Sequence, residues 1–165
     1  MQPNYVKAKN TALGLLKTYG ISSPPVNVME LARNENIKLK FVSFTSEEAI
    51  NNVSGFYDAE EHAIYINKDE YPLRQMFTIA HELGHAFTLH KEWAASNAYK
   101  VLMRQDLNNE NAVQEKEANC FAAHLLVPRF MLDEFYQQPL PTLSKIFLTS
   151  IPMLKNRLEF EYGIG

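Results

Sequence analysis

The spacing of hydrophobic and polar residues predicts two helices at the start of the chain. Apolar residues at helical spacing indicate a first helix from about Pro3 to Tyr19, and Gly20 is a typical residue for ending it. The prolines of SSPP (residues 22–25) then interrupt the chain. Asn27 follows, and its side chain can cap a short second helix over VMELARNEN.

The pattern then changes to the alternation that is typical of strands. IKLKFVSF (residues 37–44) alternates like a half-buried strand. VSGFYDAEEHAIYINKD (residues 53–69) predicts a hairpin with strands at about Val53–Tyr57 and His62–Asn67, joined by the acidic turn DAEE. Together these segments predict a small antiparallel sheet.

Helical spacing returns in the second half of the chain. A long, mostly buried helix is predicted from about Pro72 to Leu89, and a second from about Val113 to Leu126. The polar stretch between them, 91–111, is predicted to be mainly loop, and short helices end the chain near IPMLKNRLEFEYG. This order predicts an α+β fold. We expect a main domain over 1–127 and a helical extension over 128–165 in the same compact unit.

Composition and charge narrow the class of protein. The chain has 165 residues, 46% apolar and 21% charged, which is typical of one globular domain. A net charge of −3 argues against nucleic acid as the main partner. Cys120 is the only cysteine, which excludes an internal disulfide and favours a reducing compartment. The N-terminal residues resemble neither a signal peptide nor a membrane span, so we expect a cytoplasmic protein without a membrane partner.

The segment FTIAHELGHAFTLH (residues 77–90) carries the pattern HExxH. On a helix His81 and His85 lie ~40° apart on one face, so both imidazoles can reach one ion at ~2.0–2.1 Å. Glu82 lies beside them, where it can accept a proton from a water molecule at the metal. The alternative is a buried helix whose histidines only satisfy hydrogen bonds in the core.

A metal site of this kind needs a third ligand, and His90 does not suit it. On a continuous helix His90 lies ~180° around from His81. The zinc pattern with three histidines also requires glycine and histidine where the chain has Thr88 and Lys91. The helix predicted over Val113–Leu126 is a better source of the third ligand.

In the helix predicted over Val113–Leu126, Glu115 and Asn119 share a face. Glu115 can complete a set of two histidines and one glutamate, which leaves the fourth zinc position to water. Asn119 can bind the free nitrogen of a ligating histidine and fix its tautomer. Glu117 is the competing ligand, but it lies ~160° from Asn119. Alternatively, both glutamates form an exposed, acidic helix start. His124 lies on the side opposite Glu115, away from the expected metal.

In order and spacing, these segments resemble the ImmA/IrrE-type zinc metallopeptidases, which occur with phage-like repressors and stress regulators. The resemblance extends over nearly the whole chain and includes ISSPPVNVMELARNENIKL, SGFYDAEEHAIYIN, RQMFTIAHELGHAFTLH, EKEANCFAAHLLVP and FLTSIPMLKNRLEF. It implies a zincin-like domain with one zinc ion at His81, His85 and Glu115, and Glu82 as general base. It also implies a helix-turn-helix repressor as the substrate, cut at a limited site.

Two positions depart from the family pattern. His124 stands where the family usually has glutamate, and Val127 stands where methionine is common. Neither belongs to the implied ligand set. No motif identifies a residue that stabilises the transition state, so Tyr57, Tyr65 and Tyr99 remain candidates.

The strand HAIYINK lies just before the metal helix. We expect its edge to pair with an extended substrate by β-addition, with Ile64, Tyr65 and Ile66 as the substrate-binding residues.

Other functions are compatible with the same residues. The protein could be a zinc-containing module that sequesters a transcription factor without cleaving it, or the toxin of a toxin–antitoxin pair. DNA binding through IPMLKNRLEF is disfavoured, because Lys155 and Arg157 are few cations for a phosphate track. The sequence does not indicate an oligomeric state.

Overall fold

The computed structural model describes residues 2–45, 54–89 and 109–164. Helix α1 spans Tyr5–Thr18, and Asn4 caps it by accepting the N–H of Lys7 at 2.9 Å. Gly20 adopts a left-handed φ of 64°, which lets the next N–H, that of Ile21, reach the carbonyl of Leu16 at 2.9 Å. Both the helix and its predicted stop are confirmed.

Helix α2 spans Val28–Asn34. The side chain of Asn27 accepts the N–H of Glu30 at 3.1 Å, which confirms the predicted cap. The helix buries Val28, Leu31 and Ala32 and leaves its opposite face exposed to solvent.

The sheet contains β1 (Lys38–Val42), β2 (Gly55–Asp58) and β3 (Ala63–Asn67), in the order β1-β3-β2. The antiparallel hairpin of β2 and β3 is confirmed, although the predicted start at Val53 lies outside the described residues. The strands β1 and β3 are parallel, so the expectation of a purely antiparallel sheet is wrong. Alternation predicts that β1 has a buried face, but it does not determine which hairpin strand β1 joins.

Because β3 is the central strand, its two edges are already hydrogen-bonded to β1 and β2. The hypothesis that a substrate pairs with the edge of β3 is therefore wrong. Ile64 and Ile66 are fully buried and cannot contact a substrate. Tyr65 projects from the opposite face, where its hydroxyl donates to Glu61 at 2.7 Å and its ring stacks on Phe56.

Helix α3 spans Pro72–Gly84, with Pro72 in its first turn as predicted, and continues as a π-helical turn over His85–Leu89. It packs on the sheet and on helix α4, Asn109–Leu126. Gly84 allows the close approach to α4, because a Cβ atom there would lie 3.1 Å from Phe121 Cδ1 and 3.2 Å from Ala118 Cα. The predicted loop over 91–111 lies outside the described residues up to residue 108.

Three shorter helices complete the chain: α5 (Arg129–Leu132), α6 (Leu140–Phe147) and α7 (Ile151–Tyr162). Their side chains Phe147, Leu154 and Leu158 belong to the same buried cluster as residues of α1, α3 and α4. The domain boundary at residue 127 stays a prediction, since one core extends across it. Every described helix is too short or too polar to span a bilayer.

Candidate metal centre

Three side chains from α3, its π-helical turn and α4 converge at the helix–helix contact. Glu115 places one carboxylate oxygen 2.8 Å from His81 Nε2 and the other 2.9 Å from His85 Nε2. One ligand atom from each of the three residues lies within 4.8 Å of the other two. The structure thus brings together the residues that the sequence selected, although 30 positions separate His85 from Glu115.

The donor set fits a zinc ion. Ligand atoms around a tetrahedral zinc at ~2.0–2.1 Å are about 3.4 Å apart. The two measured separations, 2.8 Å and 2.9 Å, are hydrogen-bond distances shorter than that value, and all three ligand atoms lie within 4.8 Å of one another. Two imidazoles and one carboxylate are also typical of catalytic zinc sites, which keep one position open.

The second nitrogen of His81 is also bound. Its Nδ1–H donates to Asn119 Oδ1 at 2.8 Å, which directs the Nε2 atom toward Glu115. Asn119 itself is exposed to solvent. Its predicted contact with a ligating histidine is thus present, and it fixes the orientation of the His81 ring.

The charges of the site are strongly coupled. Burial alone would lower the pKa of His81, but the hydrogen bond and charge of Glu115, with a contribution from Glu82, raise it to about 9. Burial would likewise raise the pKa of Glu115, yet the two histidines hold it far below its usual value. The site therefore favours a carboxylate beside a cationic partner, and a divalent ion can take the place of the protons on Nε2.

Glu82 lies directly after the first histidine and is only 1% exposed. Its negative charge contributes to the raised pKa of His81, so the carboxylate lies within electrostatic range of the histidine pair. Its role as general base stays a prediction.

The alternative third ligand, Glu117, faces away from the centre. Its Oε1 atom accepts the backbone N–H of Asn4 at 3.3 Å, at the start of α1. His124 is also elsewhere, with its Nδ1 atom 3.4 Å from Arg157 Nη2. His90 lies outside the described residues.

Two of the tyrosines considered for the transition state, Tyr57 and Tyr65, form contacts within or beside the sheet. The hydroxyl of Tyr57 bonds His62 Nδ1 at 2.9 Å, and that of Tyr65 contacts Glu61 and Lys40. Tyr99 lies outside the described residues. These contacts give no support to Tyr57 or Tyr65 in this role.

Sequence reasoning missed a buried cluster at the far end of α4. Arg157 is 4% exposed; it donates Nε–H to the carbonyl of Val127 at 2.9 Å and Nη2–H to Glu161 at 2.8 Å. The spacing of Arg157 and Glu161 by four residues was a signal for this pair. Burial and the charge of Arg157 lower the pKa of His124 to about 4.

Comparison with known proteins adds a family match. Residues 34–162 match the model of Peptidase M78, the IrrE N-terminal-like domain. The chain is 31% identical to the radiation response metalloprotease IrrE of Deinococcus deserti over 136 residues, which cover 82% of this chain and 45% of that protein. It is 34% identical to the protein of the same name from Deinococcus radiodurans over 88 residues, which cover 53% of this chain and 26% of the relative.

Among solved structures, the chain is similar to a Mycobacterium tuberculosis transcriptional regulator. The TM-score is 0.65 at 17% identity, and the match covers 93% of this chain and 46% of that one. At this identity the likeness concerns the fold alone. The chain spans less than half the length of these relatives.

Proposed function

Since the chain belongs to the IrrE N-terminal-like metallopeptidase family, we propose that it is a zinc-dependent endopeptidase that performs limited proteolysis. The observation that carries this proposal is the convergence of His81, His85 and Glu115 at separations suited to one zinc ion. A purely structural histidine pair would not need a general base beside it, and Glu82 occupies that position.

In this mechanism the protein holds the ion and moves protons. His81, His85 and Glu115 would hold zinc through Nε2, Nε2 and the carboxylate, while Asn119 keeps the His81 ring oriented. When bound, zinc supplies Lewis acidity that makes water a usable nucleophile near neutral pH. Glu82 accepts a proton from the attacking water and returns it to the leaving amine of the substrate.

Low solvent access strengthens these interactions. His85 is fully buried, and His81 and Glu82 are 8% and 1% exposed. Charges in such surroundings act through a lower effective dielectric constant than they would in water. The electrostatic interactions among these groups are therefore stronger than they would be in water.

For the substrate, we propose a helix-turn-helix repressor. This choice rests on the resemblance of the motifs to ImmA/IrrE-type peptidases. A reducing, cytoplasmic location is proposed with it, because Cys120 is the only cysteine and is free.

The test uses zinc-loaded protein and a purified helix-turn-helix protein from the same organism, chosen first from genes adjacent to its own. We expect discrete fragments, detected by mass spectrometry, that disappear when a chelator is added. Glu82→Gln should keep stoichiometric zinc and lose cleavage, and His81→Ala should lose both. Glu117→Gln is the matched control, because Glu117 contacts α1 instead of the metal centre. Cleavage by Glu82→Gln at the wild-type rate would refute the mechanism.

Two further observations distinguish the alternative functions. A complex with the repressor that forms without fragments, in zinc-loaded protein, would instead support a sequestering module. Growth arrest on expression that requires Glu82 would favour a toxin that uses the same site.

A further inference from the structure

The outer edge of β1 carries backbone groups that have no hydrogen-bond partner among the described residues. Lys38 donates its N–H to the carbonyl of His62 at 3.0 Å, so Lys38 and every second residue after it face β3. The N–H and C=O groups of Leu39 and Phe41 consequently point away from the sheet. Within residues 2–45, 54–89 and 109–164, they form no hydrogen bond on that side.

A groove runs beside this edge, between β1 and α2. Its volume is about 540 Å³, and its lining includes Met29 and Arg33 of α2 together with Lys38, Leu39 and Phe41 of β1. Phe41 is 38% exposed, a large share for a phenylalanine in a strand. The groove thus combines an apolar floor with a backbone that is able to form a ladder.

The groove is also basic. Arg33 and Lys38 are exposed, and neither has an ion-pair partner in the described part of the chain. Lys40 differs, because its Nζ atom contacts Glu61 at 2.6 Å. Among the described residues, Arg33 and Lys38 are therefore cations without an ion pair, although the charge of Lys38 also acts on Glu61, in a chain whose net charge is −3.

We propose that this groove binds an extended, acidic peptide segment of a protein partner, which adds to β1 as a fourth strand. Alternate residues of such a strand point to opposite faces of the sheet. In the bound peptide, one set of alternate residues would place apolar side chains against Met29, Leu39 and Phe41. The same set would place one carboxylate near Arg33. The other set would bring carboxylates to Lys38 on the opposite face.

A second copy of this chain is a poorer occupant. Pairing two β1 strands edge to edge would bring Lys38 and Lys40 of one copy close to those of the other. Like charges at cross-strand positions destabilise a sheet, and lysines on edge strands oppose self-association. An acidic peptide instead meets Lys38 with opposite charge.

The groove is separate from the metal centre. The candidate ligands lie on α3, its π-helical turn and α4, and none of these elements lines the groove. Binding at β1 therefore does not depend on the proposed peptidase activity. Glu82→Gln protein should bind the peptide as wild type does, so failure of one proposal is distinguishable from failure of the other.

The test titrates the full chain with a fluorescein-labelled peptide that has glutamate in one set of alternate positions and valine in the other, except for one central glutamate in the valine set that can reach Arg33. The same peptide with every glutamate replaced by lysine is the matched probe of opposite charge. We expect binding of the acidic peptide only, weakened by added salt because exposed charges are screened. Arg33→Glu with Lys38→Glu should weaken binding by about tenfold or more. Lys145→Glu with Lys155→Glu changes the net charge equally on remote exposed residues and should leave binding unchanged.

Amide hydrogen exchange followed by NMR then tests the strand addition itself. Bound acidic peptide should slow exchange at the N–H groups of Leu39 and Phe41 and leave Lys40, whose N–H faces β3, unchanged. The proposal is overturned if saturating peptide leaves both N–H groups unprotected or if the basic peptide binds equally well. It is also overturned if, without peptide, sedimentation shows a dimer and hydrogen exchange shows protection of the same two N–H groups.

Discussion

Two glycine-to-alanine substitutions allow the packing beside the metal centre to be measured. Gly14 lies on the exposed face of α1, where an added Cβ atom meets nothing within 4 Å. Gly84 lies at the contact of α3 with α4, where the same atom would be 3.1 Å from Phe121 and 3.2 Å from Ala118. Both variants gain helix propensity of ~1 kcal/mol, so their difference isolates the contact.

The size of the effect at Gly84 follows from these distances. Carbon atoms pack best at about 3.5–4.0 Å, so the neighbours would have to move by roughly 0.3–0.4 Å. Phe121 and Ala118 are both fully buried, and the ring of Phe121 stacks on Phe87, which leaves little room for movement. Overpacking of this kind costs ~1–3 kcal/mol. Gly84→Ala should therefore be ~1–3 kcal/mol less stable than Gly14→Ala.

The same movement should reach the metal site. Ala118 lies one helical turn after Glu115, and metal–ligand distances tolerate errors of only about 0.2 Å. Gly84→Ala should thus bind zinc more weakly, whereas Gly14→Ala should bind it as wild type does. Urea unfolding and competition with a chromophoric zinc chelator measure the two effects. If Gly84→Ala is as stable as Gly14→Ala, the packing argument is refuted.

Two further predictions concern single side chains. Asn119→Ala removes the acceptor for His81 Nδ1–H and should weaken zinc binding about tenfold, whereas Asn119→Asp should keep zinc affinity near that of wild type. Chelator titrations measure the zinc affinity of each protein, and equal affinities of Asn119→Ala and wild type would contradict the prediction. In the folded chain the pKa of His124 is lowered from 6.5 to about 4. Between pH 6.5 and pH 4 the unfolded chain therefore binds more protons at this residue than the folded chain does. The free energy of unfolding should consequently decrease as the pH falls through this range. The measurement is the free energy of unfolding at several pH values, with a chelator present to keep metal out of the comparison. From pH 6.5 to pH 4, His124→Gln should lose roughly 2–3 kcal/mol less of this free energy than wild type does. Identical pH profiles of the two proteins would exclude the effect.

Local features of the fold could be predicted from the sequence because they depend on neighbouring residues. Gly20 ends α1 and Asn27 caps α2, since both act within one helical turn. The hairpin followed from two alternating segments around an acidic turn. His81 and His85 were placed together by helix geometry alone.

Features that depend on distant parts of the chain could not be predicted in the same way. Alternation indicates a buried face but does not identify the neighbouring strand, so the parallel pairing of β1 with β3 was missed. The π-helical turn after Gly84 was also missed; Phe87, within that turn, packs on Phe121 of α4. The burial of Arg157 depends equally on α4, through the carbonyl of Val127.

The sheet order has a consequence for folding. The hairpin can form early, because Asp58 and Ala63 pair across a short turn, and hairpins close within ~1–10 μs. Lys38 and Ala63 pair across a much longer stretch of chain, so closing that loop carries a larger entropy penalty. We therefore expect β1 to join a preformed hairpin late. Substitutions in β1 should then mainly accelerate unfolding, whereas those in the hairpin should slow folding.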